Sequence, residues 1–407
     1  MVLLVAMKLV GSTYSLFARM ADFKTKRRLA VELFREKIKA AQAVRVEREQ
    51  AAISWKGFRK FLVQRKVLEG EGICSFYLVP HDNKPLPLFR PGQFLTFRLK
   101  IPGQDKPVVR CYSLSDCPRS DYYRVTIKRV PPRTPKAPPG LVSNYFHDHV
   151  QEGDILDCQA PGGIFYLDPM YRRPVVLIGG GVGITPMYSM LSSICQANSN
   201  RETWLFYGVR HGGEHALRAE IDQLVAGREN VKVVTCYSNP GPQDVLDRDF
   251  HHQDRVSVEL IKAYTKTNNY QFYMCGPPAM MESVVHDLHA WGVPKEDIFL
   301  EEFGPPSKKK SPPVETIAAA SGQGQKVTFA KSNKTVVCPE GISFEDLTNE
   351  HGISISYGCH IGNCMTCSTA VKSGKVKYPT HQPNPETEEG CCLPCIAVAD
   401  GDVTLDA

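Results

Sequence analysis

The sequence has no run of about 20 uncharged apolar residues, so it does not predict a membrane-spanning helix. Its first 20 residues are fairly apolar, but they carry Lys8 and Arg19, and their apolar run is too short for a typical signal peptide. Internal repeats are also lacking. A chain of 407 residues with 42% hydrophobic and 23% charged residues is instead typical of a globular protein with several domains. We therefore expect a cytoplasmic location.

Most of the chain carries no excess of positive charge. The formal net charge is +6, and residues 24–48 alone hold nine Lys or Arg against three Glu. The remainder is balanced, which argues against a nucleic-acid-binding protein. Residues 325–407 hold six Lys, no Arg and ten Asp or Glu, a net charge of −4. This acidic C-terminal region predicts a partner with a basic docking face.

The 14 cysteines fall into two groups. Six of them lie within residues 359–395, and the other eight are scattered: Cys74, Cys111, Cys117, Cys158, Cys195, Cys236, Cys275 and Cys338. Scattered cysteines in a long chain indicate a reducing compartment, whereas a crowded set favours metal ligation over disulfides.

The N-terminal extension, residues 1–54, is basic and predicts a helix over residues 23–50. Apolar side chains recur on one face at the 3.6-residue period, namely Ala30, Phe34, Ile38 and Ala41. Such a helix packs on the rest of the protein, remains exposed, or contacts a membrane surface or a partner. The sequence leaves these alternatives open, together with a cleaved targeting segment.

The rest of the chain predicts three folded parts. Residues 55–170 carry short β-branched and aromatic segments punctuated by Gly and Pro, which suits a small antiparallel β-barrel. In residues 171–304 strands alternate with helices, which indicates an α/β domain with a parallel sheet. Residues 305–325 include PPSKKKSPP and predict a flexible linker. Residues 326–407 form a final compact module.

Predicted strands in these parts follow the β-branched and aromatic runs. In the barrel they are Phe58–Lys66, Cys74–Val79, Phe94–Leu99, Tyr122–Arg129 and Ile155–Ala160. In the α/β domain they are Val175–Ile178, Thr203–Gly208, Val231–Tyr237 and Tyr270–Cys275.

Three cysteines of the C-terminal module lie on one glycine-containing loop, and a fourth follows 28 positions later. The spacing Cys359-Xaa4-Cys364-Xaa2-Cys367, followed by Cys395, matches a plant-type 2Fe–2S cluster. Two irons bridged by two sulfides need four thiolates. Zinc favours paired Cys-Xaa2-Cys motifs, of which only one is present, and a purely structural role does not explain three thiols on one loop. The run Leu-Pro-Cys-Ile resembles the last-ligand strand of plant-type ferredoxins. It favours Cys395 over the neighbouring Cys391 and Cys392.

A glycine-rich turn, Gly179 to Pro186, follows a buried strand and precedes a predicted helix. Its glycines permit a tight turn and a close approach of a pyrophosphate to the helix start. The candidate nucleotide-binding residues of this turn are Gly181, Gly183, Thr185 and Pro186.

Two further motifs carry a family resemblance. Arg110-Cys111-Tyr112-Ser113 resembles the Arg-Xaa-Tyr-Ser motif of the ferredoxin reductase superfamily, and Cys275-Gly276-Pro277-Pro278 resembles its Cys-Gly-Pro motif. From about residue 55 to 407 the module order resembles the phthalate dioxygenase reductase type. The flavin half is most similar to flavohaemoglobin reductase, although the residues before the barrel are too few for a globin. The resemblance implies a flavin-binding β-barrel, an NAD(P)-binding α/β domain and an α+β plant-type ferredoxin domain with the β-grasp fold.

The resemblance assigns the flavin to the barrel. Tyr112 offers a flat face to the isoalloxazine, Ser113 hydrogen-bonds the ring edge near its reactive nitrogen, and Arg110 neutralises phosphate. A helix predicted over Ser143–Val150 binds phosphate at its start, with the candidate residues Gly140, Val142 and Ser143. This stretch is similar to that of flavohaemoglobins, which bind FAD. FAD is therefore expected, with FMN, used by the phthalate dioxygenase reductase branch, as the alternative.

The resemblance also assigns the nicotinamide pocket. Cys275 lies near the nicotinamide in the family, and Gly276 and Pro277 follow it. Phe303 resembles the aromatic residue that covers the flavin, and Glu302 precedes it. Arg210 and His211 follow the strand that ends at Gly208, with no acidic residue for a ribose hydroxyl, which leans towards NADPH. The oxygenase reductases of this family tend to use NADH, so the choice between NADH and NADPH remains open.

The expected function follows from this order of modules. We expect a reductase that passes electrons from NAD(P)H through a flavin and a 2Fe–2S cluster to a Rieske-type oxygenase component. The alternative is the same relay serving a membrane desaturase, a haem protein or a hybrid-cluster protein. A non-catalytic redox sensor is a third class, which the complete flavin and nucleotide motifs disfavour.

Overall fold

The computed structural model describes residues 55–303 and 324–407 apart from short gaps, with scattered positions before them. The gaps are 106, 133, 135–136, 169–170, 172, 356, 359, 361, 363–364, 380–382 and 384–386, and the earlier positions are 27, 31, 33, 34, 37, 45, 49, 50 and 52–54. The chain divides into two units, Met1–Ser54 and Trp55–Ala407.

The first unit is helical at its described positions from Arg27 to Ile53. Val31, Leu33 and Phe34 are exposed there. The rest of the helix predicted over 23–50 lies outside the described residues. Among the helices that the structure describes, none has the length and apolar character needed to cross a membrane.

The second unit begins with a six-stranded antiparallel sheet. Its strands are β1 (Arg59–Gly70), β2 (Ile73–Pro80), β3 (Phe94–Leu99), β4 (Val108–Ser113), β5 (Tyr123–Lys128) and β6 (Ile155–Cys158), in the order β4-β3-β6-β1-β2-β5. A bridge between Leu114 and Val125 joins the two ends of this order. The sheet therefore curls back on itself, as a small barrel requires.

Helix α1 (Leu141–Asp148) covers the barrel core. Its Phe146 makes edge contacts with Phe76 and Phe97, at centroid distances of 5.2 and 5.3 Å. The helix begins two residues before the predicted start at Ser143, because Gly140 is extended and already accepts the Asn144 N–H. It also ends earlier than predicted, with His149 as its C-cap.

A five-stranded parallel sheet follows. Its strands are β7 (Val175–Gly180), β8 (Thr203–Val209), β9 (Val231–Tyr237), β10 (Gln271–Cys275) and β11 (Ile298–Glu301), in the order β11-β10-β7-β8-β9. Its helices are α2 (Ile184–Gln196), α3 (Arg218–Val225), α4 (Val258–Thr265) and α5 (Pro278–Ala290). The order reverses direction between β7 and β10, and open α/β sheets bind ligands at the carboxyl ends of strands at such a switch point.

Ion pairs join the barrel to the parallel-sheet part. Arg124 of β5 is 1% exposed, and its Nη1 lies 2.8 Å from both carboxylate oxygens of Glu220 on α3. Lys128 Nζ lies 2.9 Å from a carboxylate oxygen of the buried Glu214. A buried guanidinium needs its partners, because an unpaired buried charge is strongly destabilising. These contacts therefore fix the barrel against the sheet.

The C-terminal part is a mixed sheet with one described helix. The strands are β12 (Gly324–Phe329), β13 (Lys334–Pro339), β14 (Thr369–Ser373), β15 (Val376–Lys377), β16 (Cys391–Cys392), β17 (Val398–Ala399) and β18 (Val403–Leu405), and the helix is α6 (Phe344–Glu350). The five-strand order is β13-β12-β18-β14-β16, and β15 pairs with β17. Strand β12 begins two residues before the predicted module start at 326. The predicted linker before Gly324 lies outside the described residues.

Candidate redox site

The flavin motif lies on β4, at one end of the barrel order. Ser113 is buried, Tyr112 is partly buried and Arg110 is exposed. The Tyr112 ring makes edge contacts with Phe97 and Phe146, at centroid distances of 5.9 and 5.4 Å. Burial raises the pKa of Tyr112, so it stays a neutral phenol. The strand thus offers a flat neutral ring, a hydroxyl and an exposed cation in sequence, which suits a flavin with a phosphate tail.

The start of α1 carries free helix-terminal amides. The first intrahelical bond joins Asn144 N–H to Gly140 O, so the amides of Leu141, Val142 and Ser143 precede it. The Ser143 hydroxyl accepts from Val130 N–H and donates to Gly140 O, both at 3.2 Å. Ser143 therefore braces the turn with its side chain, and its backbone amide is the group that suits a phosphate.

Two glycine-containing loops meet at the switch point of the parallel sheet. Gly183 packs so closely that a Cβ there would collide with the carbonyl of Cys275, and a Cβ on Gly180 would lie 2.7 Å from Pro277 Cδ. Gly181 has a φ of +56°, the left-handed region that glycine tolerates. The cradle between β7 and β10 thus leaves no room for a side chain at Gly180 or Gly183, and such a glycine turn fits a pyrophosphate at the start of α2.

The two remaining residues of the nucleotide turn are buried at the start of α2. Thr185 donates through its hydroxyl to Val182 O at 3.0 Å. Pro186 is the third residue of the helix, where its missing N–H costs no helical hydrogen bond. Pro277 caps α5 in the opposite loop, and Gly276 packs against Gly180.

A carboxyl group connects the flavin strand to the nicotinamide loop. The Ser113 hydroxyl donates to Glu301 Oε2 at 3.1 Å, and Glu301 lies opposite Cys275 in the β10–β11 register. Burial raises the pKa of Glu301 to about 8. Burial, with the neighbouring Glu301 charge, also raises the pKa of the Cys275 thiol, which is fully buried. The Cys275 thiol therefore stays neutral, which argues against a thiolate nucleophile.

The structure brings Glu301, and not the predicted Glu302, to the flavin strand. Glu302 is exposed, and the Phe303 side chain is 38% exposed at the end of the described range. Strand β11 was not predicted from sequence, so its alternation of side chains could not be used. That alternation is the signal that distinguishes the two adjacent carboxylates.

Two of the four predicted cluster ligands lie within the described residues, and they meet. The Sγ atoms of Cys367 and Cys395 are 3.3 Å apart, much longer than a disulfide bond of about 2 Å and close enough for two thiolates to share one iron. Cys359 and Cys364 lie outside the described residues. Between them Gly362 has a φ of +72°, as a tight wrapping loop requires.

The rival cysteines lie in a strand. Cys391 and Cys392 form β16, where they pair with Ala370 and Thr369. Cys392 is fully buried, and burial raises the pKa of its thiol to about 12. Cys392 belongs to the main hydrophobic core of this part together with Phe329 and Phe344, whereas Cys395 lies with Cys367 in a separate cluster.

Two family models match the chain. An oxidoreductase NAD-binding domain matches residues 177–286, and a 2Fe-2S iron-sulfur cluster binding domain matches residues 327–400. These matches coincide with the parallel sheet and with the part that contains Cys367 and Cys395. Together with the barrel, they define a nicotinamide-dependent, iron–sulfur-containing electron-transfer oxidoreductase.

Similar proteins include flavohemoproteins. The chain is 38% identical to that of Halalkalibacterium halodurans over 259 residues, covering 64% of this chain and 63% of the relative. It is 41% identical to that of Bacillus cereus over 251 residues, covering 62% of each. The chain thus spans somewhat less than two thirds of the length of these relatives.

Solved structures extend the likeness. The FAD/NAD binding domain of nitric oxide dioxygenase from Vibrio cholerae is 33% identical, with a TM-score of 0.54, and is covered completely by 61% of this chain. Phthalate dioxygenase reductase shares the fold over 86% of this chain and 98% of its own, with a TM-score of 0.52 and 23% identity. The chain belongs to the ferredoxin reductase-like family of flavin- and nicotinamide-dependent oxidoreductases, in the form that includes a 2Fe–2S domain.

Proposed function

We propose that this chain takes electrons from NAD(P)H and delivers them, through a flavin and its 2Fe–2S cluster, to a separate Rieske-type oxygenase component. The supporting observation is that the Ser113 hydroxyl donates to Glu301 Oε2 at 3.1 Å and that Glu301 lies opposite Cys275 in the strand register, because this places the proposed flavin strand beside the proposed nucleotide loop. When bound, a flavin accepts a hydride and releases its electrons singly, which a one-electron cluster requires. The proposed domain limits are 55–170, 171–304 and 326–407.

The chain's own residues bind and orient the cofactors in this proposal. The amides at the start of α1 and the Arg110 guanidinium bind the flavin phosphates, while Tyr112 and Phe303 contact the ring. Ser113 hydrogen-bonds the ring edge. Glu301 contacts the Ser113 hydroxyl and exchanges a proton with it. The glycine cradle around Gly183 holds the nucleotide pyrophosphate.

FAD is the proposed flavin. Support comes from the amides at the start of α1 and from the 33% identical FAD/NAD binding domain of Vibrio cholerae nitric oxide dioxygenase. Chromatography of the flavin released by heat tests the choice. A single FMN peak would contradict it.

The order of electron transfer is tested with two one-electron acceptors, cytochrome c, which is reduced through the cluster, and ferricyanide, which is reduced directly from the flavin. Replacing Cys364 with Ser removes a proposed cluster ligand, so reduction of cytochrome c should be lost while ferricyanide reduction directly from the flavin persists. The Cys391→Ser variant is the matched control and should retain both activities and its iron. Equal loss of both activities in a folded Cys364→Ser variant would show that the cluster is not downstream.

A haem protein is the second candidate acceptor. It is favoured by the relatives named flavohemoproteins, to which this chain is 38% and 41% identical over 259 and 251 residues. The test mixes the holoprotein and NAD(P)H anaerobically with a Rieske-type oxygenase component or with a separate haem protein. Reduction of the Rieske cluster, followed by its electron paramagnetic resonance signal, supports the first proposal. Reduction of the haem alone supports the second.

We further propose peripheral membrane contact through the N-terminal extension. The exposed Val31, Leu33 and Phe34 accompany nine basic residues in 24–48, a combination that suits an anionic surface. The protein should then co-sediment with phosphatidylserine vesicles and not with phosphatidylcholine vesicles. Equal recovery in both supernatants would count against membrane contact.

A further inference from the structure

A carboxylate is buried in the helix of the iron–sulfur part. Glu345 is 7% exposed and lies on α6 between core residues, with Phe344 and Leu347 both fully buried. An ionisable side chain is rarely placed in such a position without a partner, because its desolvation is costly. We therefore expect the Glu345 carboxylate to have a specific hydrogen-bonding partner.

Its partner is on the cluster loop. His360 Nδ1 lies 2.5 Å from Glu345 Oε1, and His360 directly follows Cys359 in the chain. His360 has a φ of +60°, a conformation that costs free energy for a residue with a side chain and persists only when its surroundings hold it. The hydrogen bond to Glu345 supplies such a restraint.

A second contact holds the same loop to α6. The Tyr357 ring stacks on His360, with centroids 6.0 Å apart and planes 21° from parallel. The Tyr357 hydroxyl pairs with Thr348 Oγ1 at 2.7 Å. The segment around the first predicted ligand, Cys359, is thus attached to the helix at two points one turn apart, through Tyr357 before it and His360 after it.

The first turn of α6 also holds the segment of the last predicted ligand. Glu345 N–H donates to Pro394 O, and Phe344 N–H donates to Ala397 O, both at 3.0 Å. Cys395 lies between these two acceptors in the chain. One residue, Glu345, therefore contacts both ligand segments, through its backbone on one side and its side chain on the other.

We propose that Glu345, acting through His360, is a positioning residue that fixes the iron–sulfur loop against the segment of Cys395. The inference rests on the proposed ligand set of Cys359, Cys364, Cys367 and Cys395. The carboxylate acts as the fixed acceptor for the His360 ring. Contacts outside the ligand set that orient the ligating segments govern how firmly a metal group is held.

The test measures iron release from the full-length holoprotein to a ferrous chelator after reduction. Glu345→Leu removes the acceptor and keeps the site filled, and should release iron about 10-fold faster. Glu345→Gln keeps an acceptor oxygen and should restore slow release. Glu350→Gln makes the same charge change at an exposed position of α6 and should match the wild type. Ferricyanide reduction by the flavin shows that the barrel and the parallel-sheet part of each variant are folded, and the visible absorption of the cluster before reduction shows that the C-terminal part is folded.

Two further readouts separate positioning from general stability. The reduced cluster of Glu345→Leu should show altered g values in its electron paramagnetic resonance spectrum, whereas Glu345→Gln should retain the wild-type spectrum. The double variant Glu345→Leu with His360→Ala should release iron no faster than either single variant, since both changes break one contact. If Glu345→Leu does not fold, His360→Ala alone should give the same fast release.

Slow release from Glu345→Leu or from His360→Ala would overturn the inference. Fast release from Glu345→Gln would also overturn it, as would additive effects in the double variant. If the wild-type protein itself contains no iron, the proposed ligand set fails first, and the two failures are distinguished.

Discussion

At the scale of single residues, the nucleotide cradle depends on a missing side chain at Gly183. Replacing Gly183 with Ala would drive a methyl group into the Cys275 carbonyl and push the two glycine loops apart. A misplacement of about 1 Å can cost about 100-fold in rate. We therefore expect kcat/KM for NAD(P)H to fall by about 100-fold. Steady-state ferricyanide reduction measures it.

A second glycine provides the control for Gly183. Gly227 has a φ of +72°, and a Cβ there would meet no atom within 4 Å. Gly227→Ala should therefore cost only backbone strain, about 1–2 kcal/mol of unfolding free energy, and leave kcat/KM unchanged. Unchanged kinetics in Gly183→Ala would show that the loops do not form the nucleotide site.

Glu301 predicts a pH dependence of flavin reduction. Its pKa is raised to about 8 by burial, so the group is neutral at lower pH and ionised above. A neutral carboxyl can donate to Ser113, which frees the Ser113 proton for the flavin ring. An ionised one accepts that proton, so the Ser113 hydroxyl would no longer be available to donate to a flavin bound at the proposed site. The rate of flavin reduction by NAD(P)H should therefore fall as the pH rises through about 8, as measured anaerobically by stopped flow.

The Glu301→Gln variant isolates this effect. Its amide stays neutral and can still donate to Ser113, so the rate should remain near the low-pH value across the range. Glu302→Gln changes the exposed neighbour and should keep the wild-type profile. A pH profile that is unchanged in Glu301→Gln and lost in Glu302→Gln would reverse the assignment.

This pair of glutamates illustrates what the sequence could predict about the site. The motifs located the β4 strand, both glycine loops and the cysteine spacing, because each is a local pattern of residue types. Which of two adjacent carboxylates faces Ser113 depends on the register of β11 against β10, a contact between distant segments. The Glu345–His360 contact likewise joins a helix to a loop and leaves no local signal.

At the scale of elements, helix α1, the proposed phosphate-binding helix, is held by a lysine at its carboxyl end. Lys66 Nζ donates to His147 O and Val150 O, both at 2.8 Å. A cation at this end satisfies terminal carbonyls and complements the helix dipole. Lys66→Met should therefore lower the unfolding free energy by about 1–2 kcal/mol and speed flavin dissociation. Denaturant unfolding and flavin fluorescence measure the two effects.

Lys60 offers a matched control on the same strand. Its side chain is 64% exposed and pairs with Asp157 at 3.3 Å. Exposed pairs contribute little, so Lys60→Met should change the unfolding free energy by less than about 1 kcal/mol. Equal effects of the two substitutions would mean that capping of α1 is not what Lys66 contributes.

Elements were predictable where burial produced a continuous or alternating apolar pattern. Strands β3 and β9 have the predicted bounds, Phe94–Leu99 and Val231–Tyr237. Strand β11 was missed because its four residues are too few to show a period. The start of α1 was misplaced because its N-cap, Gly140, has no side chain to form a cap.

At the scale of the whole molecule, charge is distributed unevenly. The C-terminal 325–407 region carries −4, and part of its positive charge is already used internally. Lys331 and Lys372 both pair with Asp406, at 2.9 and 2.8 Å, and Lys377 Nζ lies 3.5 Å from Glu340. Glu388 and Glu389 are exposed just before the segment of Cys395. The acidic surplus therefore includes surface close in sequence to a proposed cluster ligand.

This distribution predicts a salt-dependent rate of acceptor reduction. An acidic cluster module meeting a basic docking face associates by electrostatic steering, and the screening length falls from about 10 Å at 0.1 M salt to about 3 Å at 1 M. The second-order rate of acceptor reduction should therefore fall as salt rises. Transfer from flavin to cluster should respond less, because the covalent connection keeps their effective concentration high.

Stopped-flow measurements across a salt series separate these two steps, with the acceptor kept below saturation. Glu388→Gln together with Glu389→Gln should flatten the salt dependence of the acceptor step, since two exposed charges are removed. Glu340→Gln is the control, because its charge is already opposed by Lys377. Flavin-to-cluster transfer should be unchanged in both. An acceptor rate that does not vary with salt in the wild type would mean that docking depends on shape and apolar contact instead of charge.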